Sequence, residues 1–167
     1  APCYNFSVNT FSATIVLLTF AFGVSIGSFL NVLIYRMGSG ARLTGRSKCL
    51  SCGKTLTPLM LVPLLSYLML GGRCGHCRSK VSVQYPFVEA LTGLLFVLVA
   101  AKNSLLLPEY VPVHYFTALL EAAIWSLLVV VLVYDWKHKI IPDRLSLLFA
   151  VLAGILLYVR TVNLMTK

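Results

Sequence analysis

Two Cys-x-x-Cys pairs, Cys49 with Cys52 and Cys74 with Cys77, are separated by 21 residues in a chain of 167. This is the pattern of a tetrahedral four-thiolate zinc site, because two thiolates on one tight turn can both reach a metal about 2.3 Å away. Gly53 and Gly75 lie beside the pairs and lend turn flexibility. The many nearby cationic residues favour the thiolate form. Four cysteines leave no position open for water, so the zinc implied is structural rather than catalytic. Two other readings compete. Disulfides conflict with a reducing compartment, which the topology below assigns to this loop. Four free thiols leave the paired spacing unexplained. His76, inside the second pair, is either a substitute ligand or an exposed turn residue.

Only five acidic residues occur in the chain, so each invites a question. Asp135 and Asp143 bracket the segment Asp-Trp-Lys-His-Lys-Ile-Ile-Pro-Asp. A carboxylate at a membrane boundary is partly desolvated, which raises its pKa and allows a proton to be shared. That is what the dyad of an acid protease requires. The milder reading makes Asp143 a helix cap after Pro142 and Asp135 a solvated neighbour of lysines. On a continuous helix the two would lie about 12 Å apart, against about 3 Å for carboxylates that share a proton. Pro142 interrupts such a helix, so their distance is not fixed. Glu89 and Glu121 fall within apolar stretches, where a charged side chain is either functional or a buried acceptor for a neighbouring helix. Asn31 is placed to hydrogen-bond between helices.

These residues must be positioned by membrane-spanning elements. The chain is 59% apolar and 11% charged, with a formal charge of +9, whereas soluble domains carry about 25% charge. The expected fold is an all-α polytopic membrane protein with four transmembrane helices and a zinc-binding loop domain between the first and second. The expected order is a non-cytoplasmic segment 1–10, a first span 11–35 and a four-cysteine domain 36–84 with an amphipathic piece 59–70. A second span 85–101, a non-cytoplasmic loop 102–114 and a third span 115–134 follow. An aspartate-containing loop 135–144 and a fourth span with tail 145–167 complete it. Each span approaches the roughly 20 residues a helix needs to cross a bilayer. Gly23, Gly27 and Ser28 in the first span allow close helix approach. A signal peptide does not fit this span, because its basic residues follow the apolar run. Lysines and arginines crowd 36–84 and 135–144, so both loops are expected on the cytoplasmic side. The basic surplus then meets anionic lipid, and no aromatic-basic interleaving points to nucleic acid.

The run Gly27-Ser28-Phe29-Leu30-Asn31-Val32 with Tyr35-Arg36 resembles the first-span motif of bacterial type IV prepilin peptidases. The two cysteine pairs, Val62-Pro63-Leu64-Leu65-Ser66-Tyr67-Leu68, and Tyr85-Pro86-Phe87-Val88-Glu89 with Leu91-Thr92-Gly93 are similar to that family as well. So is the segment from Asp135 to Asp143. The matches run in the family's order from about residue 23 to residue 145. The resemblance implies a bifunctional enzyme of the inner membrane. Such enzymes cut the basic leader of prepilins or type II secretion pseudopilins at the cytoplasmic face, then methylate the new N-terminus with S-adenosylmethionine. It implies Asp135 as a catalytic aspartate, Asp143 and Glu89 as supporting acids, and Cys49, Cys52, Cys74 and Cys77 as ligands of structural zinc. The family's second catalytic aspartate sits in a Gly-x-Gly-Asp motif that is absent from this sequence. The 167 residues alone are therefore expected not to cleave prepilin, and a second polypeptide carrying that motif is one way to complete the site.

A different class of function fits part of the pattern: a non-enzymatic membrane adaptor, with the zinc knuckles as a docking platform and the aspartates as helix caps. Half of a split enzyme is a third reading. A transporter or channel gains little support, because few polar residues share a face of the spans.

Overall fold

The computed structural model describes residues 3–39, 45–103, 112–139 and 143–165. They form five α-helices and one 3₁₀ turn: α1 Cys3–Ser39, the 3₁₀ turn Pro58–Leu61, α2 Leu65–Met69, α3 Gln84–Lys102, α4 Pro112–His138 and α5 Asp143–Met165. Within these, Ala13–Met37, Gln84–Lys102, Tyr115–His138 and Leu145–Val162 are each long and apolar enough to cross a membrane. The architecture is all-helical, with four such helices and the cysteine loop between the first and the second. Most of the segment 104–114 and residues 140–142 of the following loop fall wholly or partly outside the described residues.

Two features of the sequence shape this bundle. The first is apolar side chains on every face of the long helices, which suits a lipid surround. Leu17, Leu18, Leu119, Leu132, Leu147 and Leu157 are all exposed. The second is small residues where α1 crosses α3. A Cβ on Gly23 would lie 2.8 Å from the Phe96 Cβ, one on Gly27 would lie 2.8 Å from the Glu89 Cα, and one on Gly93 would lie 2.6 Å from a Val24 methyl. The two backbones therefore approach as closely as their glycines permit. Leu30, Ile34, Val88, Val129 and Val130 form the buried core where α1, α3 and α4 meet, with Met37 and Leu145 packed against it.

The α4 helix continues through His138, so Asp135 stands on its last turn rather than in a loop. Lys139 ends the helix in a left-handed conformation (φ 56°) and donates its N–H to the Asp135 carbonyl at 2.7 Å, in the manner of a helix C-terminal cap. Asp143 is the first residue of α5 and is exposed. A carboxylate there meets the positive end of the helix dipole.

Candidate functional site

The loop between α1 and α3 folds as two copies of one turn. In the first, the Cys49 N–H donates to the Lys54 carbonyl at 2.9 Å and the Gly53 N–H to the Cys49 carbonyl at 2.9 Å. In the second, the Cys74 N–H donates to the Ser79 carbonyl at 2.8 Å and the Arg78 N–H to the Cys74 carbonyl at 3.0 Å. An antiparallel bridge closes each copy, Lys48 with Thr55 and Arg73 with Lys80. The fifth position of each copy is left-handed: Gly53 at φ 71° and Arg78 at φ 58°. Gly53 supplies that freedom, as the sequence suggested. Gly75 does not, for it has no positive φ, and its missing side chain instead makes room for Met60, whose methyl would sit 2.5 Å from a Cβ there.

The two turns bring the sulfur atoms of Cys49, Cys52, Cys74 and Cys77 within 4.8 Å of one another, and all four are free thiols. The Cys49 and Cys77 sulfurs are 3.8 Å apart. A tetrahedral ion with 2.3 Å bonds to sulfur separates its ligands by about 3.8 Å, so the cluster has the size zinc requires. The electrostatics agree. Backbone N–H groups of Cys52 and Ser51 hold the Cys49 thiol down to about 6. The Ser79 hydroxyl and N–H lower Cys77. At Cys52 a backbone N–H from Lys54 pulls downward, but burial and the crowded Cys49 and Cys77 sulfurs outweigh it and push the thiol up to about 11. Four sulfurs at one point cannot all ionise unaided, and a divalent cation removes the conflict. Ser79 also reaches the Cys77 sulfur at 3.2 Å, and the His76 N–H reaches the Cys74 sulfur at 3.5 Å. Such outer contacts orient ligands. His76 itself is exposed and stands outside the cluster.

A cleft of about 910 Å³ runs from this cluster to the ends of α1 and α3. Ser28, Asn31, Tyr35, Tyr85 and Glu89 line its helical side. Glu89 is 7% exposed, and its Oε2 accepts the Leu64 N–H at 2.7 Å. That contact fixes an uncommon conformation. Leu64 sits at φ 58°, ψ −50°, and the Leu65 N–H reaches back to the Pro63 carbonyl at 2.6 Å. This is a γ-turn of the strained hand, in a β-unbranched residue that has no intrinsic reason to adopt it. Asn31, 2% exposed, donates its Nδ2 to the Tyr85 carbonyl at 3.0 Å. Among the described residues its Oδ1 has no partner. Arg36 ties the loop to α1 through the Gly45 carbonyl at 2.9 Å.

The structure thus gathers the four cysteines and places Glu89 and Asn31 on the same cleft. Asp135 is half-buried and does not line it. Among the described residues no hydrogen bond or ion pair joins Asp135 to Asp143. The remaining intramembrane carboxylate, Glu121, is 3% exposed and lies elsewhere, paired with Arg160 and Lys102 and hydrogen-bonded by Asn103 at 3.2 Å. Sequence reasoning passed over Arg160, and it quoted Tyr35 and Tyr85 only within the family motifs, with no role of their own. A lone arginine in the last apolar stretch was a usable signal, since a charge there needs a partner. For the two tyrosines the motif runs were the signal, since residue type alone makes them ordinary at a membrane boundary.

Residues 21–103 match the Bacterial Peptidase A24 N-terminal domain. The chain is 44% identical over 87 residues to a prepilin leader peptidase/N-methyltransferase of Myxococcus xanthus, an alignment covering 52% of this chain and 26% of that protein. It is 33% identical over 133 residues to the prepilin leader peptidase/N-methyltransferase of Bacillus subtilis, covering 79% and 50%. It is 36% identical over 140 residues to a type 4 prepilin-like proteins leader peptide-processing enzyme of Escherichia coli, covering 72% and 49%. The chain spans about half the length of the latter two relatives. No solved structure matches it.

Proposed function

We propose that this chain, which belongs to the bacterial prepilin peptidase family through the A24 N-terminal domain in residues 21–103, serves leader removal and N-methylation of type IV prepilins or type II secretion pseudopilins. The observation that carries this reading is the union of the four-thiol cluster with the α1–α3 cleft, both inside the matched residues. The bundle sits in the bacterial inner membrane with the cysteine loop and Asp135 on the cytoplasmic side, where lysines and arginines are retained.

Cys49, Cys52, Cys74 and Cys77 hold zinc in this reading, and the ion supplies a cross-link that fixes the loop against the helix ends. The cleft has the volume of a small-molecule site, and S-adenosylmethionine is the methyl donor proposed for it. Asp135 is the proposed catalytic aspartate. At the end of α4 it is half-buried close to the polar boundary, where a scissile peptide at the cytoplasmic face would come within its reach. Water activation in such proteases takes two carboxylates. The Ile-Pro-Asp carboxylate of Asp143 is supporting, at the N-terminus of α5, and Glu89 acts on the loop through Leu64. The partner of Asp135 is proposed to come from a Gly-x-Gly-Asp segment outside these 167 residues, which contain none.

An adaptor role is the alternative, and one substitution separates the two. In membranes holding this chain together with the Gly-x-Gly-Asp segment and a prepilin, Asp135→Asn should abolish leader cleavage, by 100-fold or more on the scale of lost acid–base catalysis. Zinc content and bound partners should be unchanged. Full cleavage by Asp135→Asn, with failure only in Cys49→Ser, would support the adaptor.

A further inference from the structure

We propose that residues 59–70 are a membrane anchor for the cysteine loop: they lie within the bilayer leaflet at which α3 begins and rest their exposed apolar side chains on lipid. The inference needs only the four spans and stands whatever reaction the protein serves.

The depth follows from α3. Its apolar span is 19 residues, Gln84–Lys102, which at 1.5 Å per residue is about 28 Å, against about 30 Å of hydrocarbon in a bilayer. The whole helix is needed to cross, so Gln84 sits at the boundary of the apolar layer. Glu89 comes five residues later, about 7 Å along the helix. Its carboxylate accepts the Leu64 N–H at 2.7 Å. The middle of the segment is therefore level with the second turn of a membrane span. Helices that lie in an interface bury their apolar faces to about the same depth, 5–10 Å.

The composition agrees. Residues 55–72 contain no charged side chain, and Lys54 and Arg73 close the stretch at its two ends, where their long stems can reach out to the headgroups. Pro58 and Pro63 keep it from forming one long helix, and its helical pieces are only Pro58–Leu61 and Leu65–Met69, with no buried residue in either. The stretch cannot cross a bilayer. Yet Leu59, Leu61, Val62, Leu65, Leu68 and Met69 are all exposed, and apolar side chains exposed together mark a contact surface. Val83 and Phe87, at the start of α3, are exposed as well, so the apolar surface continues onto the span itself. Lipid is the occupant this depth admits, because a soluble partner would have to displace headgroups to reach it. The flanking turns complement an anionic leaflet: Arg46, Lys48, Lys54, Arg73, Arg78 and Lys80 are exposed, and residues 45–83 include no acid. Backbone groups in lipid need partners within the protein, and the segment supplies them. The N–H groups of Leu65, Ser66, Leu68 and Leu70 donate to the carbonyls of Pro63, Val62, Leu64 and Ser66. The left-handed Leu64 has its N–H taken by Glu89.

Lipid photolabelling tests this. The full chain is placed in nanodiscs of phosphatidylcholine and phosphatidylglycerol, a fraction of them carrying a diazirine near the top of one acyl chain. After photolysis the adducts are located by peptide mass spectrometry. Residues 59–70 should take label at a level comparable with 84–89, and tenfold or more above the cysteine turns 49–54 and 74–79. Leu65→Asn combined with Leu68→Asn changes two exposed positions. It should lower the label in 59–70 threefold or more, with zinc content and the label in 84–89 unchanged. If that variant loses its zinc, the wild-type comparison decides alone. Label in 59–70 no higher than in the cysteine turns, with 84–89 labelled, would overturn the proposal. The segment would then lie in water with its apolar face open to a soluble protein. Undiminished label in a zinc-loaded double variant would overturn it as well, because contact with lipid would not depend on the leucines.

Discussion

Glu89 and Glu121 are two carboxylates buried in one helical bundle, 7% and 3% exposed, and their surroundings differ in kind. Glu121 is saturated: Arg160 and Lys102 balance its charge, and Asn103, itself bonded by Thr117 at 3.2 Å, completes its acceptors. Its residues come from α3, α4 and α5, and the cluster pins those helices together. Glu89 faces a cleft and holds a strained loop residue, and among the described residues it is in no ion pair and its neighbour Asn31 keeps an open acceptor. In a medium of low dielectric an unsatisfied group is costly. A region that finishes its hydrogen bonding internally is built to hold. A region that leaves some unfinished is built to receive.

Breaking each region in turn sharpens the contrast. The largest effect is expected from the cysteine cluster. Structural zinc sites contribute about 10–16 kcal/mol of apparent binding energy, so chelation or Cys49→Ser should unfold residues 45–82 while the helices persist. Limited proteolysis with metal analysis would check this, and a protected loop in metal-free protein would count against a zinc-held fold. Next is Glu121→Ala. Removing one partner of a buried ion pair costs about 3–5 kcal/mol, so unfolding in detergent should begin at clearly lower denaturant. Glu89→Gln should change that midpoint by less than about 1 kcal/mol, because the acceptor for Leu64 survives. Gly27→Leu should cost about 1–3 kcal/mol through overpacking against the Glu89 backbone, and should narrow the cleft as well. One effect is a gain. Arg78→Gly relieves a left-handed non-glycine residue and should stabilise the second knuckle by about 1 kcal/mol, read as slower zinc loss to a chelator.

The cysteine cluster was legible in the sequence because its chemistry is local: Cys49 and Cys52 share one turn, and so do Cys74 and Cys77. The four spans were legible because length and apolarity suffice to identify them. The packing of α1 on α3 was half-visible in Gly23 and Gly27, but Gly93 on the facing side completes it only in three dimensions. The cleft was not legible. It depends on Leu64 adopting a positive φ, which no leucine signals, and on Glu89 reaching 25 residues back to hold it. The extent of α4 past Asp135 escaped for a related reason: Lys139, neither glycine nor asparagine, provides the left-handed cap.

The most direct test of this division is to compare Glu89→Gln with Glu121→Gln in this chain joined to the proposed Gly-x-Gly-Asp segment, following transfer of labelled methyl from S-adenosylmethionine to a precut pilin peptide. The account predicts that Glu89→Gln loses transfer tenfold or more with its stability intact, while Glu121→Gln keeps its rate per folded molecule and unfolds more readily. Equal rates in the two variants, or a loss confined to Glu121→Gln, would contradict it.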